Sequence, residues 1–566
     1  MKKRNDDCDK LTRRRISRRQ FLAISGVGVA GMYLAGFRPL QVEAETMPAE
    51  APTTGQTLVV GFATGPNGLD HEFHKASRST DVYRNCGVCP LRYEPMAVGD
   101  VFQSDFTKLV GDTAKEWKIG KDWSSVTITF REGIRSPTGN ELTADDLIYR
   151  YQRSWGLKGT EWGFTKDSLL MTGPDSVKKE GKYTYTINMS GPNALAEMIQ
   201  AHNGTQIYDS VEYQKHATAD DPWSTKWAGS NFAGHGPWKV TDYKPGQSWT
   251  LERNENYFSQ GVFTGNITKV MGQIIPASAN RVALLQSGDI DMAFDLNASE
   301  LITLSKTPGV RVDHLPGNHL QWMGFSLKSD KSPELKDVNV RLAIANVLPF
   351  DLLLERPYLG LATQMKSTVA PAYAGYDVVS QIWGDRKRDV SKAKDYLSKS
   401  PYPKGFKTTL HYDINMPGQE ETAIIIKSAL AEIGIDVEIL KVQSGDFFNL
   451  AFGPIGFPGM MIYRDMAGTP DVNFGTHLWL KSGHCCAPGN YSNQDIDKLY
   501  SQAQGSPGQF EKRVDLQRQI DDIAINKDPM GVPLQAVGFH AACRQNVGGF
   551  WWQSLNEILW AKAWKK

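Results

Sequence analysis

Residues 285–294 read Leu285-Gln286-Ser287-Gly288-Asp289-Ile290-Asp291-Met292-Ala293-Phe294, and this stretch decides the fold class. A helical pattern runs from Asn280 to Leu285. Gly288 then stops the helix, because glycine tolerates the left-handed conformation that closes a helix C-terminus, and an apolar strand begins. A helix handing over to a buried strand within a few residues is the connection from which layered α/β structure is built.

Further along, the handover recurs. Residues 422–433 are helical, Gly434 is the stop, and 435–440 form a strand; residues 340–348 make another helix, ended by Pro349. Upstream, 58–63 is a short apolar run that opens the fold, and 126–130 alternates β-branched and aromatic residues. After the turn cluster 136–140, Thr143-Ala144-Asp145-Asp146 places a hydroxyl at a helix N-cap and a carboxylate three residues on. Residues 182–189 and 248–253 alternate with period two and read as strands.

The chain has 566 residues, 40% hydrophobic and 22% charged, with 63 Lys+Arg against 62 Asp+Glu. That length holds several domains' worth of core and excludes a small disulfide scaffold. Residues 1–44 hold ten basic and four acidic residues, leaving 53 basic and 58 acidic in the remainder. Such a body lacks the basic surface that phosphate neutralisation requires, so no nucleic-acid partner is expected.

Arg13-Arg14-Arg15 and Ser17-Arg18-Arg19-Gln20-Phe21-Leu22 precede an apolar run from Phe21 to Phe37. This resembles a twin-arginine export signal, cleaved after Val42-Glu43-Ala44. An uncleaved anchor is the alternative, although the run is at the short limit for a membrane span. Export implies a soluble periplasmic protein and an oxidising compartment. Five cysteines follow the leader: Cys86, Cys89, Cys485, Cys486 and Cys543. A Cys86–Cys89 short-loop disulfide and a bridge from Cys485 or Cys486 to Cys543 are the expected pairings, with the connectivity left open.

Taken together, several stretches resemble the extracytoplasmic solute-binding proteins of peptide and nickel ABC transporters, family 5. They are Ala114-Lys115-Glu116-Trp117 with Ile128-Thr129-Phe130-Arg131-Glu132-Gly133; Leu142-Thr143-Ala144-Asp145-Asp146; Gly234-His235-Gly236-Pro237-Trp238; Leu251-Glu252-Arg253-Asn254; Leu285 to Asp291; and Val338-Asn339-Val340-Arg341. The resemblance implies an α/β, two-lobed periplasmic-binding-protein fold of type II, with an extra subdomain inserted in lobe one. By analogy, 1–44 is the signal, lobe one comprises 57–88, 233–318 and 541–566, the subdomain is 89–232, and lobe two is 319–540. It implies a monomeric carrier with no cofactor and no reaction. Such a carrier closes on a short peptide or peptide-like amine by hinge motion and delivers it to membrane permease subunits.

In Met461-Ile462-Tyr463-Arg464-Asp465-Met466-Ala467-Gly468-Thr469-Pro470-Asp471, the resemblance assigns Asp465 to the ligand ammonium. The competing role for Asp465 is a turn cap before Gly468 and Pro470. Tyr463 shares its strand face. Trp322, at the expected crossing between lobes, is a floor or core residue, and Ser77 and Ser79 offer hydroxyls to an extended ligand. Residues His71, His74, His484 and Cys485 are the metal candidates, for a nickel, metal-chelate or haem-type carrier, weighed against surface histidines and disulfides. Cys86-Gly87-Val88-Cys89 makes a periplasmic thiol oxidoreductase the reading from another class. No nucleophile elbow, P-loop or zinc-protease motif is present.

Overall fold

The computed structural model describes residues 55–74, 77–452, 456–466, 468–484, 487–553 and 557–566. The leader, its cleavage site and Cys485 and Cys486 lie outside the described residues.

In chain order the strands that build the fold are β1 (Gln56–Phe62), β2 (Leu91–Val98), β3 (Val101–Gly111), β4 (Ala114–Ile119), β5 (Ser125–Phe130), β6 (Val177–Lys179), β7 (Thr184–Asn188), β8 (Trp238–Lys244) and β9 (Ser248–Arg253). They continue with β10 (Ile267–Ile274), β11 (Met292–Ala293), β12 (Val310–Phe325), β13 (Ala362–Gln364), β14 (Lys407–Asp413), β15 (Asp436–Val442), β16 (Met460–Met466) and β17 (Gly531–Arg544).

Eleven strands form one sheet in the order β15-β14-β16-β12-β17-β11-β1-β10-β9-β8, with β13 pairing β17 beside that path. Its two halves are each partly parallel: β1 runs parallel to β10 and β11, and β14 runs parallel to β15 and β16. The long strands β12 and β17 join the halves. β12 pairs with β17 from Val310 to Gly324, while its distal part also pairs with β16. β17 reaches back to pair with β11 through Met292↔Cys543. The α/β architecture with crossing strands is therefore the expected one.

Local signals hold where they were strongest. The helix Ser278–Ser287 ends at Gly288, whose φ of 92° is the left-handed conformation glycine favours. The helix Ala144–Leu157 starts with a complete capping box: Thr143 Oγ1 accepts from the Asp145 N–H at 3.2 Å and the Asp146 carboxylate accepts from the Thr143 N–H at 2.8 Å. The strand after Gly288 is shorter than the apolar run implies, covering Met292 and Ala293.

Helices Val338–Val347 and Gln419–Ala431 cover the β14–β16 half, burying Val340, Ile344, Ile426 and Leu430 against Leu410, Ile462 and Met323. Trp238, Trp249, Val60 and Phe62 pack the other half. A four-stranded sheet, β4-β5-β7-β6, stands apart from the large one. Its core of Val126, Ile128, Phe130 and Tyr185 is continuous with Trp322, Tyr463, Phe474 and Trp479. Burial of this apolar area is the main stabilising force, at about 25 cal/mol per Å² removed from water.

Candidate functional site

In open α/β sheets, ligands bind outside the carboxyl ends of parallel strands. Here two such ends face each other. Phe62, Ile274 and Ala293 end β1, β10 and β11; Asp413, Val442 and Met466 end β14, β15 and β16. Between them lies a cavity of about 60 Å³ lined by Arg78, Asp295, His319, Tyr358, Arg464 and His540, among others. It adjoins a groove of about 700 Å³, sharing Asp295, Ala298, Pro357 and Pro417, that runs out between residues 278–299 on one side and 356–359 and 414–424 on the other.

The end of β16 borders this crevice with a free edge. Its ladder with β14 stops at Tyr412↔Ile462, whereas its ladder with β12 continues to His319↔Met466. Residues 463–466 therefore have one paired edge and one open edge among the described residues. Alternation along the strand sends successive side chains to opposite faces. Tyr463 packs with Trp322 and Trp479, and Ile462 packs on the opposite side among Met323 and Leu410.

Asp465 faces the Trp479 side. Its Oδ2 accepts from Trp479 Nε1 at 2.8 Å and its Oδ1 accepts from the Met466 N–H at 2.7 Å. Among the described residues no cation pairs with it. Burial raises its carboxyl above the ordinary carboxylate value, and these two hydrogen bonds oppose the rise only in part. Trp322 stands directly across the ladder from Tyr463. Its ring lies 5.8 Å from that of Trp479 and 6.3 Å from that of Trp383. The Tyr463 hydroxyl and Trp322 Nε1 are buried without a hydrogen-bond partner among the described residues. Trp479 comes from a π-helical turn, Thr476–Leu480, a wide-turn geometry frequent at functional sites.

Arg464 faces the cavity. Its Nη2 lies 2.8 Å from Met416 Sδ, and among the described residues it has no carboxylate at ion-pair distance. Arg78, also in the cavity wall, pairs with Asp81 at 2.8 Å. Burial pushes the Asp81 carboxyl up to about 7 despite that guanidinium and the Ile558 N–H. Asp295 accepts from the Ala63 N–H at 3.0 Å, and burial raises Asp413, which accepts from the Asn415 N–H and the Ser444 hydroxyl.

Sequence reasoning names Asp465, Tyr463 and Trp322, which the structure brings together, and does not name Trp479 or Arg464, which adjoin them. Alternation along 462–466 was the available signal for Arg464. Ser79 is not at this site: its hydroxyl bonds Asn67 Oδ1 at 2.9 Å and the Gly68 carbonyl at 2.8 Å, tying a loop to the helix Ser77–Cys86. The side chain of Ser77 lies outside the described residues.

His71 is buried and both ring nitrogens are engaged, by the Tyr208 hydroxyl and the Asn203 carbonyl, each at 3.0 Å. His74 Nδ1 lies 3.2 Å from the Asp70 carbonyl, and the ring of His484 lies 4.5 Å from that of His477. Among the described residues no three His, Cys, Asp or Glu side chains converge to hold a metal ion.

The cysteine pairings need correction, since Cys86, Cys89 and Cys543 are free thiols. Cys86 ends a helix and packs with Tyr83 and Trp238 in one core, whereas Cys89 turns to Arg84 Nη1 at 2.6 Å and the His202 carbonyl at 3.3 Å. Burial raises both thiols, Cys89 to about 11, which is the reverse of the depressed value a reactive cysteine needs. Cys543 is held in β17 beside Asp313.

Comparison with known proteins accords with this geometry. The pattern of the bacterial extracellular solute-binding proteins, family 5, matches residues 108–484. A probable D,D-dipeptide-binding periplasmic protein of Escherichia coli is 26% identical over 511 residues, 89% of this chain and 92% of that one. Heme-binding protein A of Haemophilus influenzae is 24% identical, covering 77% of this chain and 81% of its own length. Among solved structures, an ABC transporter-associated periplasmic binding protein of Helicobacter pylori in complex with the peptide STSA superposes with a TM-score of 0.77 at 22% identity, over 90% of this chain and 98% of that one. The fold is the two-lobed periplasmic-binding-protein fold, and the chain belongs to the bacterial extracellular solute-binding proteins, family 5.

Proposed function

We propose that this protein is the periplasmic substrate-binding component of an ABC importer. In this reading, lobe one (57–88, 233–318 and 541–566, with 89–232 inserted) and lobe two (319–540) close on a short peptide or peptide-like amine. The protein leaves the cytoplasm on its twin-arginine signal, works as a monomer and hands the solute to membrane permease subunits. Names of relatives support the class, since the two curated relatives and the solved structure are binding proteins.

The observation that carries the reading is the Asp465 carboxylate. A partly buried ionised carboxylate with no cationic partner among the described residues is costly, and a ligand ammonium supplies that partner. The open edge of 463–466 adds main-chain groups for an extended solute, which binds peptides with little restriction on side chains. Native mass spectrometry of the mature protein from the periplasm, followed by denaturation, tests it. A co-purified peptide or amine is the expected result; a metal, a chelate or a haem released instead would reject it.

A further inference from the structure

A third cavity, of about 300 Å³, opens on the helices of the β14–β16 half and shares no lining residue with the crevice. Its floor is apolar and aromatic. Ala345 comes from the helix Val338–Val347, Phe350 from the helix Phe350–Tyr358, Trp383 from the segment before the helix Val390–Ser398, and Ile525 from a π turn, Ile523–Lys527; all four are buried. The rim is cationic: Lys387 and Lys392 are exposed, and Arg386 is partly buried over Trp383, its guanidinium carbon 5.8 Å from the ring. Among the described residues no carboxylate lines the cavity, and the neighbouring acids are engaged elsewhere. Asp385 pairs with Lys366, Asp522 pairs with Lys527 at 2.7 Å, and Asp389 caps its helix by accepting from the Lys392 N–H at 2.9 Å. Arg386, Lys387 and Lys392 therefore have no acidic partner at ion-pair distance among the described residues. Arg386 Nε is buried without a hydrogen-bond partner, and Nη2 reaches the Asn526 amide oxygen at 3.3 Å. Burial lowers Arg386 to about 10, which leaves it charged at neutral pH.

We infer that this cavity is an anion site, in which Arg386, Lys387 and Lys392 take a phosphate group and the floor takes the apolar or aromatic body that carries it. The site goes beyond solute carriage and does not involve the crevice. A desolvated charge with no counter-charge is costly, and an anion in the cavity removes that cost. A guanidinium matches phosphate oxygens with paired donors, while ammonium groups on flexible stems act as point charges. One partly buried Arg with two exposed Lys therefore suits a doubly charged phosphate better than a single carboxylate. A volume of about 300 Å³ stands at the lower end for a small-molecule site and exceeds what a bare phosphate fills. The remainder is bounded by Phe350, Trp383 and Ile525, which favours a phosphate ester over the inorganic ion.

The phosphate belongs either to a soluble ester or to a lipid headgroup, and binding by the full mature chain separates the two. For a soluble ester, titration calorimetry should show phenyl phosphate binding about tenfold more tightly than phenol. For a headgroup, sedimentation should show the same margin for vesicles of phosphatidylglycerol and phosphatidylcholine over phosphatidylcholine alone. Arg386→Gln/Lys392→Gln should reduce whichever preference is found to below about threefold, while the co-purified solute binds that variant as it binds wild type. Lys394→Gln/Lys404→Gln removes the same charge from exposed positions outside the cavity and should leave the preference intact. Circular dichroism confirms that each variant folds, and Lys387→Gln, at an exposed position, repeats the test without touching the floor. The site is overturned if neither preference is found, if the preference survives Arg386→Gln/Lys392→Gln, or if it falls equally in Lys394→Gln/Lys404→Gln. Displacement of phenyl phosphate by the co-purified solute would also overturn it, because the anion would then lie in the crevice.

Discussion

Arg464 and Asp465 are consecutive on β16 and serve opposite faces of it: the guanidinium enters the inter-strand cavity while the carboxylate accepts from Trp479 Nε1 at 2.8 Å. Neither has an ion-pair partner among the described residues. β16 is open along one edge at this point, and of the two charges Arg464 lines the cavity.

Asp465→Asn separates the cost of that carboxylate from its use. Its folded-state pKa is raised by burial, so ionisation destabilises the fold increasingly as pH rises from the unfolded value through the folded one. The variant without ligand should therefore melt no lower than wild type at pH 7, with the difference shrinking toward pH 4. Ligand-induced stabilisation should fall at least tenfold in apparent affinity. Thermal shift with and without the co-purified solute measures both, and an unchanged affinity would reject the anchor.

Trp479→Phe keeps the aromatic packing and removes the indole N–H. Asp465 then retains the Met466 N–H and loses its side-chain donor. A lost hydrogen bond to a partly buried group costs about 1 kcal/mol. Urea denaturation should show a lower midpoint with an unchanged slope, and the same substitution placed on Asp465→Asn should cost less, because the two residues form one contact.

The fold was legible where neighbours in sequence decide it. Gly288 ends its helix, Thr143 and Asp146 complete their capping box, and period-two segments become β5, β7 and β9 because each depends on backbone groups a few residues away. Side-chain partners were harder. His71 reads as a metal candidate until the chain returns with Asn203 and Tyr208, more than 130 residues later. Cys86 and Cys89 are close in sequence, yet a helix end between them turns one thiol into a core and the other toward Arg84. Trp479 reaches Asp465 only because a π turn returns the chain after β16.

Gly288→Ala tests the handover that decides the fold class. At φ 92° an L side chain is strained, and its Cβ would also meet Arg544 Nη1, which can move aside. Backbone strain then dominates, at about 1–2 kcal/mol. A lower denaturation midpoint is expected, with the circular dichroism spectrum unchanged in shape.

Cys86, Cys89 and Cys543 should titrate as free thiols. In a Cys485→Ser/Cys486→Ser background, a thiol reagent should find almost none in the native mature protein and three after unfolding, because all three are buried. A mass two units below the reduced value, with one reactive thiol, would instead establish a bridge.

The two crossing strands carry a histidine pair whose titration should set the acid limb of stability. His314 stands opposite His540, with the two Nδ1 atoms 2.9 Å apart, so one ring must donate and the other accept, and the contact fails when both are protonated. Burial, then His314 and Arg464, lower His540 to about 3, while the Leu361 carbonyl opposes the shift. With the folded value below the unfolded one, this group's stabilisation is complete above about 6.5 and is lost as pH falls toward 3. Asp81, raised to about 7, works in the opposite sense, since its protonation on acidification favours the folded state. The wild-type curve between pH 7 and 4 sums these slopes. His540→Gln removes one of them, so its stability should fall less than wild type over that interval in urea denaturation. An equal fall in both proteins would show that the pair does not titrate with unfolding.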